Sequence, residues 1–340
     1  MHNQRLLQRV GPYEHEDAFG FLSRVATANH LKDAYQIIRH CTGSSTGAIK
    51  YKDISKIAYF CLNTTGEISQ LSGIELARLE GNRMWQVSGE QISKAAFLCS
   101  RYARICPQCL ADQVYIQGHW SLTLYTVCAI HKTKMIDECP ACLKKIKWDR
   151  PSVLHCLCGT DLSLASSEKA GPQELLLSQL IAQRGVVLIQ PIHSALLDYK
   201  HIEQLSRLSL DGLCKAIWFL GHCIGNLGKY GSGHGSKILS LYEANTVIAQ
   251  AFALLQAWPN RLGARLEELS LRQSSNSTDS LINKLFGPAQ YYLHESLQSE
   301  ELHFIRTAYE QFIARIWKGH YPQNIPREDK SQLEFAWGSI

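Results

Sequence analysis

The sequence predicts a mainly α-helical, multidomain protein with a cysteine-rich central region. Three observations support this prediction: apolar residues recur at helical spacing towards both ends of the chain, seven of the 12 cysteines lie within 106–160, and 45% of the 340 residues are hydrophobic. That much apolar material can build a sizeable core and is untypical of a disordered chain. We therefore predict three domains, over residues 1–104, 105–165 and 166–340.

Charge and hydropathy narrow the possible functions only slightly. Lys and Arg outnumber Asp and Glu by 35 to 30, and this net charge of +5 allows contact with nucleic acid but is too small for a coat-like DNA-binding protein. The first residues lack an apolar signal segment, and no run reaches the roughly 18 apolar residues of a membrane helix. We expect a soluble, cytoplasmic protein without a membrane partner. In that reducing compartment, clustered cysteines favour metal binding over disulfides.

The N-terminal third predicts short helices, including a helix-turn-helix-like pair. A helix ending near Leu62 is followed by a turn at 63–66 and by a short helix that carries Ile68 and Leu71. This second helix contains Glu67 and lacks the Arg or Asn/Gln pair that reads base edges, so a protein-binding surface is at least as well supported as DNA reading. Nearby basic residues can contact nucleic acid or a partner, although they are also typical of a solvated face: Arg24, Lys32, Arg39, Lys50, Lys52 and Lys56.

The first cysteine cluster has the spacing of a structural zinc site. Cys106 and Cys109 form a CxxC pair, and after 18 intervening residues Cys128 and His131 form a CxxH pair. Thiolate and imidazole are the ligands that Zn²⁺ prefers, and two such pairs can complete a tetrahedron. Because four protein ligands leave no position for a reactive water, we predict that this ion is structural.

A second cluster begins after a further seven intervening residues. Cys139 and Cys142 form another CxxC pair, and after 13 residues Cys156 and Cys158 form a CxC pair. We predict that these four thiolates bind a second structural zinc ion. Because a CxC pair is tighter than a CxxC pair, His155 stays open as an alternative ligand. Short runs of alternating polar and apolar residues predict β-hairpins within this tandem zinc-ribbon or knuckle region.

The remainder of the chain returns to helical spacing from about residue 174, which predicts a C-terminal α-helical domain. No nucleophile elbow, Walker loop, metalloprotease motif or open-zinc deaminase motif occurs in the sequence. We therefore expect a protein that is not an enzyme, with no catalytic residues.

The cysteine region resembles the TniQ family of transposition target-selection proteins, which includes the longer TnsD proteins. The resemblance covers about residues 10–160 and begins with an entry helix after Pro12. By this resemblance the two clusters bind two zinc ions, although the CxC pair departs from the family's wider spacing. The residues that carry the resemblance are Cys106-Pro107-Gln108-Cys109-Leu110, Trp120, Cys128-Ala129-Ile130-His131, Cys139-Pro140-Ala141-Cys142 and Cys158-Gly159.

The resemblance implies a non-catalytic adaptor that selects targets for a Tns-type DNA transposon. Such a protein links an RNA-guided CRISPR Cascade complex, with its guide RNA or target DNA, to the AAA+ regulator TnsC, so that the transposase is recruited. A TnsD-like alternative binds a DNA attachment site directly and recruits TnsC, although the chain leaves little room for the C-terminal module typical of those proteins. An alternative of another class is a zinc-dependent nuclease or regulator unrelated to transposition. The Cascade subunit, the oligomeric state and the C-terminal interface residues stay open.

Overall fold

A computed structural model describes residues 5–44, 48–76, 83–184, 196–224, 239–271, 292–293 and 296–318. The described chain is mostly helical and contains one small antiparallel sheet, which confirms the predicted fold class at that level. The α-helices are α1 (Ala18–Ala28), α2 (Ala34–Thr42), α3 (Ile54–Phe60), α4 (Thr65–Ser69), α5 (Pro107–Asp112), α6 (Pro172–Ala182), α7 (Tyr199–Arg207), α8 (Leu210–Trp218), α9 (Leu241–Leu255), α10 (Asn260–Leu271) and α11 (His303–Lys318), and the strands are β1 (Ile74–Glu75), β2 (Trp85–Val87) and β3 (Glu90–Ile92).

The four N-terminal helices enclose an apolar core of their own. Helix α1 starts at Ala18 because the Asp17 carboxylate accepts hydrogen bonds from the amides of Phe19 and Gly20, at 2.9 and 3.1 Å. Helix α2 packs against α1, and α3 packs against both α2 and α4. The core of this layer includes Phe21, Leu22, Val25, Ile37, Ile38, Ile54, Ile57, Ile68 and Leu71.

Helices α3 and α4 agree with the predicted helix-turn-helix outline, but the second helix is only five residues long. It begins at Thr65, inside the predicted turn, because the side chains of Thr64 and Glu67 bond reciprocally to each other's backbone amides in a capping box. Arg9 forms an ion pair with the same Glu67 carboxylate. Little more than one helical turn is therefore available, and its acidic group is already engaged.

A three-stranded antiparallel sheet of order β1-β2-β3 follows α4, in the third of the chain for which only short helices were predicted. Ser88 and Gly89, with φ of 48° and 82°, form the tight turn between β2 and β3. The strands are two or three residues long, which is too short to show the alternation by which a strand is identified in sequence.

The hairpins predicted for the central region are present only as isolated bridges among the described residues. The alternating run 121–127 does not form a strand. Instead, Leu122 forms a bridge with Leu98, and Val127 forms one with Lys134. Each end of the run therefore pairs with a different segment.

Buried Arg104 explains why this run is interrupted. Its guanidinium donates hydrogen bonds to the carbonyls of Leu122 and Thr123, at 3.3 and 2.6 Å, and to the carbonyl of Leu239 at 2.8 Å. These carbonyls are thereby taken out of any strand ladder. The side chain also attaches the central region to the start of α9.

A second apolar core is continuous from the sheet to the C-terminal helices, with members from Val87 to Phe312. Phe97 packs edge-on against Trp218 with ring centroids 5.6 Å apart. The amide and hydroxyl of Ser93 donate to the Asp211 carboxylate at 2.8 to 3.0 Å. The domain boundaries stay a prediction. None of the described helices is long and apolar enough to cross a membrane.

The N-terminal layer is joined to the central region by backbone hydrogen bonds. The amide of Asp17 donates to the carbonyl of Ile116 at 2.8 Å, and the amide of Gly118 donates to the carbonyl of His15 at 2.7 Å. A Cβ atom on Gly118 would lie 1.9 Å from Ser72 Oγ and 2.7 Å from the His15 carbonyl oxygen. The junction therefore needs glycine at this position.

We predict that Gly118→Ala lowers the free energy of unfolding by about 1–3 kcal/mol, because the added methyl group collides with backbone that has no room to move. Urea unfolding followed by tryptophan fluorescence measures the change. Gly11→Ala is the matched control, since a Cβ at exposed Gly11 meets nothing within 4 Å. Equal stabilities of the two variants would contradict the close approach at the junction.

Candidate metal centres

Site 1 consists of Cys106, Cys109, Cys128 and His131, whose ligand atoms all lie within 4.8 Å of one another. The Cys109 sulfur is 3.5 Å from the Cys128 sulfur and 3.2 Å from His131 Nδ1. The Cys106 sulfur is also 3.5 Å from His131 Nδ1. A tetrahedron with Zn–S bonds near 2.3 Å has edges of about 3.8 Å, so the four atoms have nearly the separations that a zinc ion requires.

Two local elements hold the ligands of site 1. Cys106 is the N-cap of α5, and Cys109 lies within that helix. On the other side, the His131 amide donates to the Cys128 sulfur at 3.3 Å, and the Lys132 amide donates to the Cys128 carbonyl at 2.9 Å. The turn closes with Lys132 at a positive φ of 56°. This is the knuckle geometry in which backbone amides face a metal-binding sulfur.

The second ring nitrogen of His131 has a carboxylate partner. Nε2 lies 3.0 Å from the Asp112 carboxylate, and Asp112 is the last residue of α5. A carboxylate on Nε2 favours the tautomer in which Nδ1 is free to bind a metal ion. The sequence reasoning missed Asp112. The available signal was its position three residues after Cys109, which places both on one side of α5.

Site 2 consists of Cys139, Cys142, Cys156 and Cys158, whose sulfurs also lie within 4.8 Å of one another. The Cys139 and Cys158 sulfurs are 3.6 Å apart, and those of Cys142 and Cys156 are 3.8 Å apart. The CxC pair closes through a hydrogen bond from the Gly159 amide to the Cys156 carbonyl at 2.9 Å, with Gly159 at φ of 87°. Only glycine adopts this conformation without strain.

His155 lies outside this group of four sulfurs. Its Nδ1 is 2.9 Å from the hydroxyl of Ser152, and its backbone amide donates to the same hydroxyl at 3.1 Å. The tight CxC spacing therefore brings both of its cysteines into site 2 without help from the neighbouring imidazole.

The donor sets of both sites fit zinc. Sulfur and imidazole nitrogen are typical zinc ligands, whereas calcium and magnesium prefer oxygen. The two clusters could bind two zinc ions, one at each site. Four protein ligands at each site are the arrangement of structural zinc, in which the ion holds loops together.

A comparison with known protein families finds a match for the N-terminal part of the chain. Residues 7–135 match the family model TniQ. The chain carries a TniQ domain. This confirms the resemblance seen in the sequence and indicates a transposition target-selection protein. The matched segment contains all of site 1 and ends before Cys139, so site 2 lies just outside it. No curated protein matches the chain.

Hydrogen bonds favour the thiolate form at Cys106 of site 1 and at Cys139 and Cys158 of site 2. The thiols of Cys109 and Cys128 hold the pKa of Cys106 well below its usual range. The hydroxyl and amide of Thr160 lower the pKa of Cys158 to about 6. Because the thiolate is the form that binds metal, both effects assist metal binding near neutral pH.

The basic residues predicted to contact a partner fall into two groups. Arg24 of the TniQ domain is engaged internally: its guanidinium forms two hydrogen bonds with the buried Glu16 carboxylate, at 2.7 and 2.6 Å, and stacks over Tyr13. The other five are exposed, and the structure records no ion pair for them among the described residues. These five are Lys32, Arg39, Lys50, Lys52 and Lys56. Their contact role stays a prediction.

We predict that Cys109→Ser releases about one zinc ion per chain and unfolds the central region, because binding of a structural zinc ion contributes about 10 kcal/mol or more to folding. Metal analysis of the purified protein together with circular dichroism measures both effects. Cys41→Ala is the control, since Cys41 is buried outside both clusters. A folded Cys109→Ser variant with its full zinc content would show that site 1 is not a metal centre.

We predict that Asp112→Ala weakens zinc binding at site 1 by about 10–100-fold while leaving four ligands in place, because the His131 ring loses the group that sets its tautomer. Competition with a chromogenic chelator measures the affinity. Asp198→Ala is the matched control, since Asp198 is an exposed carboxylate beside a histidine, His201, outside both sites. Identical zinc affinities in the two variants would remove Asp112 from the site.

Proposed function

We propose that this protein is a non-catalytic target-selection adaptor of a Tns-type transposon, which links an RNA-guided Cascade complex to the AAA+ regulator TnsC. The observation that carries the proposal is the TniQ domain over residues 7–135. Two clusters of four protein ligands, one inside this domain and one directly after it, suit a rigid docking platform better than a catalytic centre.

Exposed apolar side chains at the metal knuckles favour protein partners. Ile130 lies between the ligands of site 1, whereas Leu143 and Leu157 adjoin ligands of site 2, and their exposed fractions are 64%, 75% and 59%. Apolar side chains that a rigid turn keeps exposed to solvent are typical of protein contact surfaces. They offer no donors or acceptors for reading bases.

The five exposed cations favour a second candidate, in which the protein binds an attachment site on DNA directly. They can contact phosphates, and such contacts make affinity strongly salt-dependent. The short α4 argues against sequence reading in this mode, because its Glu67 is bound to Arg9 and Thr64. We therefore favour the adaptor role, with nucleic acid contacted only through its backbone.

We predict that TnsC and guide-loaded Cascade are both retained by the immobilised, zinc-loaded protein after nuclease treatment of the free DNA, because protein surfaces carry the contact. Pull-down with purified components measures retention. Loss of TnsC on digestion would favour the DNA-bridged alternative.

A charge-reversal pair separates the two candidates further. Lys52→Glu/Lys56→Glu should leave TnsC retention unchanged, and Lys200→Glu/Arg207→Glu on α7 is the matched control. A large loss of binding to naked attachment-site DNA in the first pair alone, with a salt slope smaller by about 1 for each lost phosphate contact, would support direct targeting instead.

A further inference from the structure

Three of the cysteine turns at the two sites share one backbone frame. In each of them the residue after the second ligand has a positive φ, and its amide donates to the carbonyl of the first ligand at 2.9 Å. The amide of the first ligand donates in turn to the carbonyl one position beyond the positive-φ residue, at 2.8 to 3.0 Å. The residues at the positive-φ position are Lys132 at site 1 and Leu143 and Gly159 at site 2, with φ of 56°, 57° and 87°. The three positions are therefore equivalent, and their side chains can be compared directly.

Leu143 is the unexpected residue at this position. Glycine adopts a positive φ freely, whereas a leucine there is strained by its own Cβ atom. The side chain gains little from packing in return, because it is 75% exposed, and the equivalent Lys132 is exposed as well. A residue that is disfavoured both by its backbone conformation and by its contact with water is typical of a binding site, where a partner covers it.

Leu143 is part of a larger apolar surface. The Cys142 and Cys156 sulfurs are 3.8 Å apart, so the two turns of site 2 lie side by side. Leu143 directly follows Cys142, and Leu157 directly follows Cys156. Together the two turns expose four apolar residues, which form the tip patch: Pro140, Ala141, Leu143 and Leu157. Because hydrogen bonds fix the turns, a partner that binds here orders little additional backbone.

Uncompensated positive charge borders the tip patch. Lys144, which adjoins the patch in sequence, and Lys147 are both exposed, and neither forms an ion pair with a described residue. Lys145 between them is compensated, because its ammonium group lies 3.0 Å from the Asp137 carboxylate and 3.1 Å from that of Glu138. Apolar anchors beside unpaired lysines fit a protein segment that carries both apolar and acidic side chains.

The proposed adaptor needs two separate docking surfaces. The five exposed cations of the N-terminal layer suit a partner that brings nucleic acid, and of the two proposed partners this is guide-loaded Cascade. The tip patch offers mainly apolar contact and suits a partner that docks through protein alone.

We propose that the tip patch of site 2 docks an acidic, partly apolar segment of TnsC, with Leu143 as its central anchor. This docking site rests on the proposed adaptor function. It lies outside the TniQ domain, whose match ends at residue 135.

The test measures the affinity of the full chain, purified in the presence of zinc, for purified TnsC, with retention of guide-loaded Cascade measured in parallel. Leu143→Lys introduces the side chain that site 1 carries at the equivalent position, and Leu143→Gly introduces the one of the CxC turn. Leu7→Lys is the matched control, since Leu7 is an exposed leucine of the N-terminal layer outside the tip patch. Thermal unfolding of each variant reports on the fold.

We expect Leu143→Lys and Leu143→Gly to weaken TnsC binding by about tenfold or more, because truncation of a central anchor typically has an effect of this size. Neither variant should lower the midpoint of thermal unfolding, since the fold gains little from this side chain. Cascade retention should stay at the wild-type level, and Leu7→Lys should bind TnsC as the wild type does.

A charge-reversal variant tests the acidic character of the TnsC segment. Lys144→Glu/Lys147→Glu should slow association with TnsC and weaken the slowing of that association by salt, because an attraction between opposite charges is replaced by a repulsion. Lys200→Glu/Arg207→Glu on α7 is again the matched control. An association rate that is equal in the two variants overturns the assignment of an acidic segment.

Wild-type affinity for TnsC in both Leu143 variants overturns the docking site, while the adaptor function stands if the wild-type chain retains both partners. Loss of Cascade retention in either variant overturns the assignment of the patch to TnsC. If Leu143→Lys unfolds, Leu143→Gly decides alone, because glycine fits the positive φ without strain. A wild-type chain that binds no TnsC overturns the adaptor function and the docking site with it.

Discussion

The middle of this chain has almost no regular secondary structure of its own, and that scarcity constrains everything around it. Between β3 and α6 the only α-helix is α5, with six residues. Hydrogen bonds between strands or within helices therefore cannot hold these loops in place. Interactions of a few side chains with distant segments must hold them instead. Sites 1 and 2 gather two pairs of ligands each, and Arg104 binds three carbonyls from two distant segments. The N-terminal helical layer and the C-terminal helices both pack against this region.

The grouping of the candidate metal ligands was predictable from sequence because a knuckle is a local structure. The two residues of each pair are at most three positions apart, so spacing alone identifies them, and the structure brings all eight predicted ligands together in two groups of four. Spacing was not sufficient for the CxC pair, because it left His155 as an alternative ligand of site 2. The turn at Gly159, which sequence spacing does not reveal, brings both cysteines of the pair into the site. The short strands were missed because two or three residues carry no periodicity.

Residues whose role depends on tertiary contacts could not be predicted from the sequence. Nothing in the sequence near Arg150 distinguishes it from a surface arginine, yet the residue is buried, because its segment packs on α1 through the stacking of Trp148 on Phe19. Arg24 illustrates the opposite case. Its charge suggested a partner contact, yet the buried Glu16 carboxylate holds it inside the domain. Charge on a helix is thus a weaker guide to function than paired cysteines, since its meaning is set by neighbours distant in sequence.

The continuity of the second apolar core has a practical consequence for anyone who dissects this protein. Phe97 shares its packing with Trp218, and Ser93 is bonded to Asp211, so the middle third and the helices after it complete one another. A truncation at residue 165 would remove the C-terminal half of this shared core. The apolar side chains of the central region would then be exposed to water and would promote aggregation. Fragments for crystallisation or binding assays should therefore extend well into the C-terminal half, even where the chosen target is the cysteine-rich portion alone.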